Sequence, residues 1–264
     1  PQPGSYALSP VAARDCVRDQ PGSLAGLIDM EIENFLSPAL IVEGLQEGGP
    51  CVYGNSDPWA EHATDPAKAR SFSDAMHAIS MRPAEALAQA ANLTDARRLL
   101  DAGGGSGTIS VALARAFPKL HCTILEIPPV LPHIEERAQE EGLSEQISAL
   151  EGDLFADSWP GDFDAVLLSQ ILHDWSDEEA VRLVRRAFQA LAPGGTLLIH
   201  EKLVTQDGGP LANGLVNLDM LVWTEGRQWS ADELEALLKD AGFESVDVTA
   251  TYGYWSLVAG TKPS

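Results

Sequence analysis

From Arg98 to Phe243 the chain alternates short apolar runs with amphipathic stretches, and this alternation constrains the fold more than any other feature. LLDA (99–102), HCTILEI (121–127), ISALEG (147–152), FDAVLLS (163–169) and TLLIHEKL (196–203) read as strands. Between and after them, TISVALARAF (108–117), IEERAQEEG (134–142), DEEAVRLVRRAFQAL (177–191) and ADELEALLKDAGF (231–243) carry helical periodicity. Repeated strand–helix units of this kind build a parallel sheet covered on both faces, an α/β fold. The rhythm changes at the end, where ESVDVTA (244–250) and WSLVAGT (255–261) flank the turn-prone Thr251-Tyr252-Gly253-Tyr254. No crossover helix fits between them, so they are expected to pair antiparallel. Residues 1–96 carry mainly helical patterns, interrupted by Gly and Pro at Pro21-Gly22, Gly48-Gly49-Pro50 and Asp57-Pro58, and no run there stands out as a strand.

Charge narrows the ligands. Of the 264 residues, 39 are Asp or Glu and 17 Lys or Arg, a net charge of −22 that would repel nucleic acid and anionic membranes. Small-molecule chemistry fits better. No apolar run approaches the roughly 20 residues of a membrane span, and PQPGSYALSP lacks the basic and apolar parts of a signal peptide, so a cytoplasmic protein is expected. Cys16, Cys51 and Cys122 are odd in number and outside any metal-ligand spacing, which predicts reduced, packed thiols and neither disulfide nor metal site.

The first strand runs through Leu99-Leu100-Asp101-Ala102 into Gly103-Gly104-Gly105-Ser106-Gly107, a turn whose glycines let the backbone approach a ligand closely. Glu126 closes the second strand, where a nucleotide-binding fold places the acceptor for both ribose hydroxyls. Asp153 follows the third, where an adenine amino group needs an acceptor, and Leu154 beside it is suited to cover the ring. Acids at three successive strand ends, with G-x-G-x-G in place of the G-x-G-x-x-G of nicotinamide enzymes, favour S-adenosylmethionine. Asp101 would face the cationic end of that ligand.

Three further strings complete the pattern: ILHDWSDE (171–178), APGG (192–195) and NLDMLVWTEG (217–226). With the glycine loop they closely resemble the small-molecule O-methyltransferases of the caffeate and acetylserotonin type, over nearly the whole chain. The resemblance implies a Rossmann-like methyltransferase fold, with a mostly parallel seven-stranded sheet and an antiparallel last strand. It divides the chain into 1–50, the tail of a helical and winged dimerisation segment; 51–96, a helical linker contributing to the substrate pocket; and 97–264, the cofactor-binding catalytic domain. Relatives carry more of the dimerisation segment before the point matching Tyr6, so the chain is expected to be either naturally short or a piece of a longer one. A homodimer acting on a small aromatic hydroxyl compound is implied.

The same resemblance makes His173 the general base and Glu201 one of two acids that orient it. The second acid is replaced by Gln228, with Trp229 and Glu225 as nearby candidates for compensation. Physical chemistry agrees on His173, since a phenol must lose its proton as it attacks and imidazole is poised for that near neutral pH. A capping or packing histidine is the alternative, because Ser176 reads as the N-cap of the next helix. By resemblance Ser80 touches the methionine part of the cofactor, and Ser169 stands where several relatives carry lysine. His62, Phe72, Met76, Leu221 and Val222 match positions lining the acceptor pocket, although core packing explains Phe72 and Met76 at i, i+4 equally well. Methyl transfer to nitrogen or carbon, another reaction of the same cofactor, and a catalytically silent cofactor-binding subunit remain as alternatives.

Overall fold

The computed structural model describes residues 5–18, 20, 22–32, 37–52, 58–156 and 158–264. Among them seven strands form one sheet: β1 (Arg98–Ala102), β2 (His121–Glu126), β3 (Ile147–Glu151), β4 (Phe163–Ser169), β5 (Leu191–Glu201), β6 (Ser245–Ala250) and β7 (Ser256–Thr261). Their order is β3-β2-β1-β4-β5-β7-β6. The first five run parallel, whereas β7 pairs antiparallel with both β5 and β6. The final strand therefore inserts between β5 and β6, leaving β6 at the edge.

Ten helices are described: α1 (Pro10–Asp15), α2 (Ala25–Met30), α3 (Pro38–Glu47), α4 (Pro58–Thr64), α5 (Pro66–Ala90), α6 (Thr108–Ala116), α7 (Leu131–Glu140), α8 (Asp177–Ala190), α9 (Leu211–Trp223) and α10 (Ala231–Ala241). Two-residue alternation along the strands sends side chains into two cores. Leu99, Ile124, Leu167 and Leu198 pack with residues of α5, α6 and α7 on one face. Leu100, Leu125, Val166, Leu168 and Leu197 pack with α8 and α10 on the other. Burial on both faces explains why these strands are apolar without a polar side.

Helix caps hold the site-bearing elements in phase. Ser176 accepts from Glu179 N at the start of α8, and Asp177, Glu178 and Glu179 place negative charge against the helix dipole there. Ser230 and Glu233 form a reciprocal capping box on α10. Asp65 caps α5 by accepting from Ala67 N and Lys68 N. α5 then presents Phe72, Met76 and Ser80, each one turn apart, on a single face. Ser176 thus caps as expected without involving His173.

All three cysteines are free, and Cys122 is buried as expected, but Cys16 is exposed, so packing does not account for it. No described helix is long and apolar enough to cross a membrane.

Candidate active site

A cleft of about 1290 Å³, counting space open to solvent, lies over the carboxyl ends of β1 to β4. Ligands collect at this edge in open α/β sheets because the strand-to-helix loops converge there. Its floor is the glycine loop with Asp101, Glu126, Asp153, Leu154 and Ser169, and its roof is α4 and α5 with Trp59, His62, Phe72, Met76 and Ser80. His173, Asp174, Trp175 and Trp223 stand at the far end. The residues expected to bind cofactor are thus brought together around one space.

Glu126 is set by the loop it serves. Its Oε1 accepts from Gly105 N at 2.9 Å and its Oε2 from Ile127 N at 2.8 Å. Gly105 reaches that geometry at φ +56°, in the region that favours glycine. Burial pushes the Glu126 carboxyl up to about 7 against the pull of these two amides. Asp101 reaches the cleft from beneath: its Oδ2 accepts from Ser110 Oγ at 2.7 Å, and burial raises it to about 6. Gly104 lies over it so closely that a Cβ there would sit 2.5 Å from the Asp101 carboxyl carbon. Asp101 therefore supports the loop and lends its charge to the cleft floor. Asp153 Oδ1 accepts from Phe155 N and Ala156 N, both at 2.7 Å, which fixes the turn carrying Leu154.

Ser80 accepts from Gln170 Nε2 at 3.1 Å, joining α5 to the end of β4. Gln170 holds φ +56°, a strained conformation for a residue with a side chain, at the point where β4 enters the catalytic turn. Ser169 Oγ lies 3.4 Å from His200 Nδ1, and His200, depressed to about 4 by burial, is neutral. At the other wall, His77 faces both Thr108 Oγ1 at 2.7 Å and Arg137 Nη1 at 3.2 Å. Because a guanidinium only donates, His77 Nε2 is the acceptor and Nδ1–H donates to Thr108.

The His-Asp-Trp string forms a single 3₁₀ turn, Leu172–Asp174, directly after β4. Glu201, at the end of β5 and 1% exposed, binds that turn at three points. Its Oε1 accepts from Ile171 N at 3.0 Å and Leu172 N at 3.2 Å, and its Oε2 meets His173 Nδ1 at 2.5 Å. The carboxylate fixes the imidazole with Nδ1 protonated, which leaves Nε2 as the base atom. Burial alone would depress His173, but the charges of Glu201 and Asp174 and the Glu201 hydrogen bond outweigh it and hold the imidazole above its ordinary value. Asp174 Oδ1 lies 3.4 Å from His173 Nε2, and burial pushes its carboxyl up to about 7.

Beyond His173 the cleft is aromatic. Trp59 stacks on Trp175 at 5.9 Å and meets Phe72, His62 and Trp223 edge-on at 5.9, 5.8 and 5.5 Å. Phe72, His62 and Met76 line this cleft. Leu221 and Val222 do not. α9 turns Val222 toward α3, where a Cβ on Gly44 would meet its Cγ1 at 2.8 Å, and the same helical phase brings Trp223 to the cleft. Gln228 also stays outside the cleft lining: it is buried, its backbone N–H donates to Asn217 Oδ1, and neither amide atom of its side chain has a partner among the described residues.

The donor set fits S-adenosylmethionine. Asp101, Glu126, Asp153 and Asp174 line the cleft, and no Lys or Arg does among the described residues, which suits a ligand with sulfonium and ammonium charges and opposes a pyrophosphate. Glu126 has acceptor capacity that would suit a ribose diol, and Ser80 of the roof and Ser169 of the floor line the same cleft.

Comparison with known proteins agrees. A family model described as an O-methyltransferase domain matches residues 40–244. The 3-hydroxy-5-methyl-1-naphthoate 3-O-methyltransferase of Streptomyces sahachiroi is 33% identical, over 98% of this chain and 76% of that protein. Mitomycin 7-O-methyltransferase superposes with a TM-score of 0.86 at 28% identity, covering 97% of this chain and 76% of that one. Human N-acetylserotonin methyltransferase, solved in complex with S-adenosylmethionine, shares the fold with a TM-score of 0.87 at 24% identity, covering 98% of this chain and 76% of that one. By its family match, its relatives and the donor set of its cleft, the chain belongs to the S-adenosylmethionine-dependent O-methyltransferases.

Proposed function

We propose that this enzyme methylates a hydroxyl of a small, polyketide-like aromatic compound, with His173 as general base, and that it works as a homodimer. The observation that carries the base assignment is the His173–Glu201 pair: an imidazole locked at Nδ1, with Nε2, 3.4 Å from Asp174 Oδ1, beside the cleft. When bound, S-adenosylmethionine supplies an electrophilic methyl group on a sulfonium. The chain's own residues do the rest. Glu126 and the glycine loop hold the cofactor's ribose end, Leu154 covers the adenine, and Ser80 and Ser169 contact the methionine end. Trp59, Phe72 and Trp223 take the flat face of the acceptor, excluding water and directing its hydroxyl toward His173. Nε2 removes the hydroxyl proton as the oxygen attacks, and Glu201 stabilises the imidazolium that forms.

The acceptor class rests on this aromatic wall and on relatives named for naphthoate and mitomycin acceptors. An intact His–Glu pair is unnecessary in a silent cofactor-binding subunit, and an amine acceptor needs less help from a base. Incubation with S-adenosylmethionine and a panel of hydroxynaphthoates, phenols and arylamines, read by mass spectrometry, tests the assignment. O-methylated product is expected; methylation of amines alone, or none, overturns it.

The dimer reading rests on unpartnered apolar surface. Leu211, Leu215 and Leu218 form one exposed face of α9, with Val42 and Leu45 of α3 and Ile28 and Ile32 also exposed. Phe35 and Leu36, which belong to the same apolar stretch of sequence, lie outside the described residues. Scattered single leucines are ordinary, but three at i, i+4 and i+7 beside α3 form a patch that a second copy would cover. Light scattering should give twice the chain mass, and Leu215→Glu should give the monomer. A wild-type monomer at micromolar concentration contradicts the reading.

A further inference from the structure

We infer that the loop from Gly226 to Trp229 is a second clamp on the catalytic turn, placed opposite Glu201, and that it positions His173 without a second acid. The inference rests on the assignment of His173 as base and extends it to residues that touch neither substrate nor cofactor.

Gly226 lies directly on the backbone of the turn. A Cβ there would fall 2.0 Å from the His173 carbonyl oxygen and 2.6 Å from the carbonyl carbons of His173 and Asp174. These are backbone atoms of a buried turn that Glu201 already holds by two amide hydrogen bonds, so no side chain is free to swing aside. Three residues on, the Trp229 indole N–H donates to the Leu172 carbonyl at 3.3 Å, and its ring is buried in the core between the sheet and α8. One element therefore touches the carbonyls of Leu172 and His173 while Glu201 takes the amides of Ile171 and Leu172 and the imidazole.

The loop is itself braced on three helices. Arg227 stacks over Trp229 at 4.3 Å and pairs with Asp177 in the first turn of α8 and Glu233 in the first turn of α10. Gln228 N donates to Asn217 Oδ1 of α9 at 2.7 Å. The backbone of Gln228 thus has a place in the clamp, while its side-chain amide makes no hydrogen bond among the described residues. A charged second acid is replaced by contact and a neutral hydrogen bond. Gly226 and Trp229 are positioning residues, and a loop that merely filled space would leave the His173–Glu201 geometry untouched when altered.

The test is proton and nitrogen NMR of the His173 imidazole in the full chain, with thermal melting as the control for folding. Wild type should show a low-field Nδ1 proton, assigned by its loss in His173→Gln, and an imidazole that titrates above its ordinary value. Gly226→Ala should remove that proton and lower the titration, because the turn must move off Glu201. Trp229→Phe, which keeps an aromatic side chain and removes the donor, should lower the titration part of the way. A folded Gly226→Ala protein with the wild-type resonance and titration overturns the proposal. If Gly226→Ala does not fold, Trp229→Phe decides, and an unchanged imidazole there overturns it. Should His173→Gln retain methyl transfer, the base assignment fails, whereas the clamp is still decided by the resonance.

Discussion

Replacing Glu126 by glutamine changes one atom and removes the charge at the point where the cofactor's ribose is expected. In the structure its two oxygens already accept one backbone N–H each, from Gly105 and Ile127. An ionised carboxylate has about four acceptor positions, so two remain for the ribose hydroxyls. Glutamine has a single carbonyl oxygen, and its NH₂ would oppose a backbone N–H and a hydroxyl that both donate. At least one hydrogen bond to a charged acceptor is lost, worth about 1.5–3 kcal/mol. That corresponds to a rise in Kd of about ten- to a hundred-fold. Calorimetry with S-adenosylhomocysteine at pH 8 is the assay, because the carboxyl, raised to about 7, is mostly ionised there. A second signature follows from the same shift. Hydroxyl donors favour the ionised form, so binding near pH 6.5 to 7 should release protons, and the part belonging to Glu126 should vanish in the variant. A change in Kd under about three-fold, with proton release intact, refutes Glu126 as the ribose acceptor.

Two further outcomes follow from the buried carboxyls. Gly104→Ala should abolish cofactor binding with little loss of secondary structure, since its Cβ would fall 2.5–2.8 Å from the Asp101 carboxyl atoms that Ser110 holds in place; retained affinity by calorimetry counts against the packed loop. Asp101 and Asp219 are raised from 3.8 to about 6, Asp174 from 3.8 to about 7, and Glu31 and Glu126 from 4.5 to about 7, all chiefly by burial. Between those values the folded state binds more protons than the unfolded, so stability falls as pH rises through the window. The raised His173 adds to that trend, while His200 and His77, lowered by burial to about 4, oppose it below about 6.5 without outweighing the five carboxyls. Asp101 alone contributes on the order of 3 kcal/mol over its whole window from 3.8 to about 6, of which about 1.4 kcal/mol falls above pH 5. Tm should therefore drop from pH 5 to pH 8 in ligand-free protein; a rise over that range contradicts the burial of these groups.

The sheet was legible because its signal is local. The apolar runs from Leu99 to Glu201 and the pair after Glu244 appear as strands, since a strand buried on both faces must be apolar throughout. The insertion of β7 between β5 and β6 was not legible, because strand order is decided by long-range pairing. In the site, residues at strand ends such as Glu126, Asp153 and His173 could be placed from the order of elements alone. The acceptor wall could not. Trp59 and Trp223 meet across 164 residues of chain, and one residue of helical phase, about 100°, separates Val222 facing α3 from Trp223 facing the cleft. Gln170 gave no sign of its φ of +56°, as glycine or asparagine would have done, and the contact between Gly226 and His173 exists only once the fold is closed.

The central claim is that His173 takes the acceptor's proton, and the pH profile of single-turnover methyl transfer to a hydroxynaphthoate tests it most directly. Wild type should show a rising limb centred above 6.5, because the folded imidazole is raised and must lose its proton before it can act. His173→Gln should lower the rate about 10²- to 10⁴-fold and lose that limb, with affinity for S-adenosylhomocysteine unchanged. A His173→Gln enzyme that keeps the wild-type rate and the same limb would contradict the account, making His173 a structural residue of the turn.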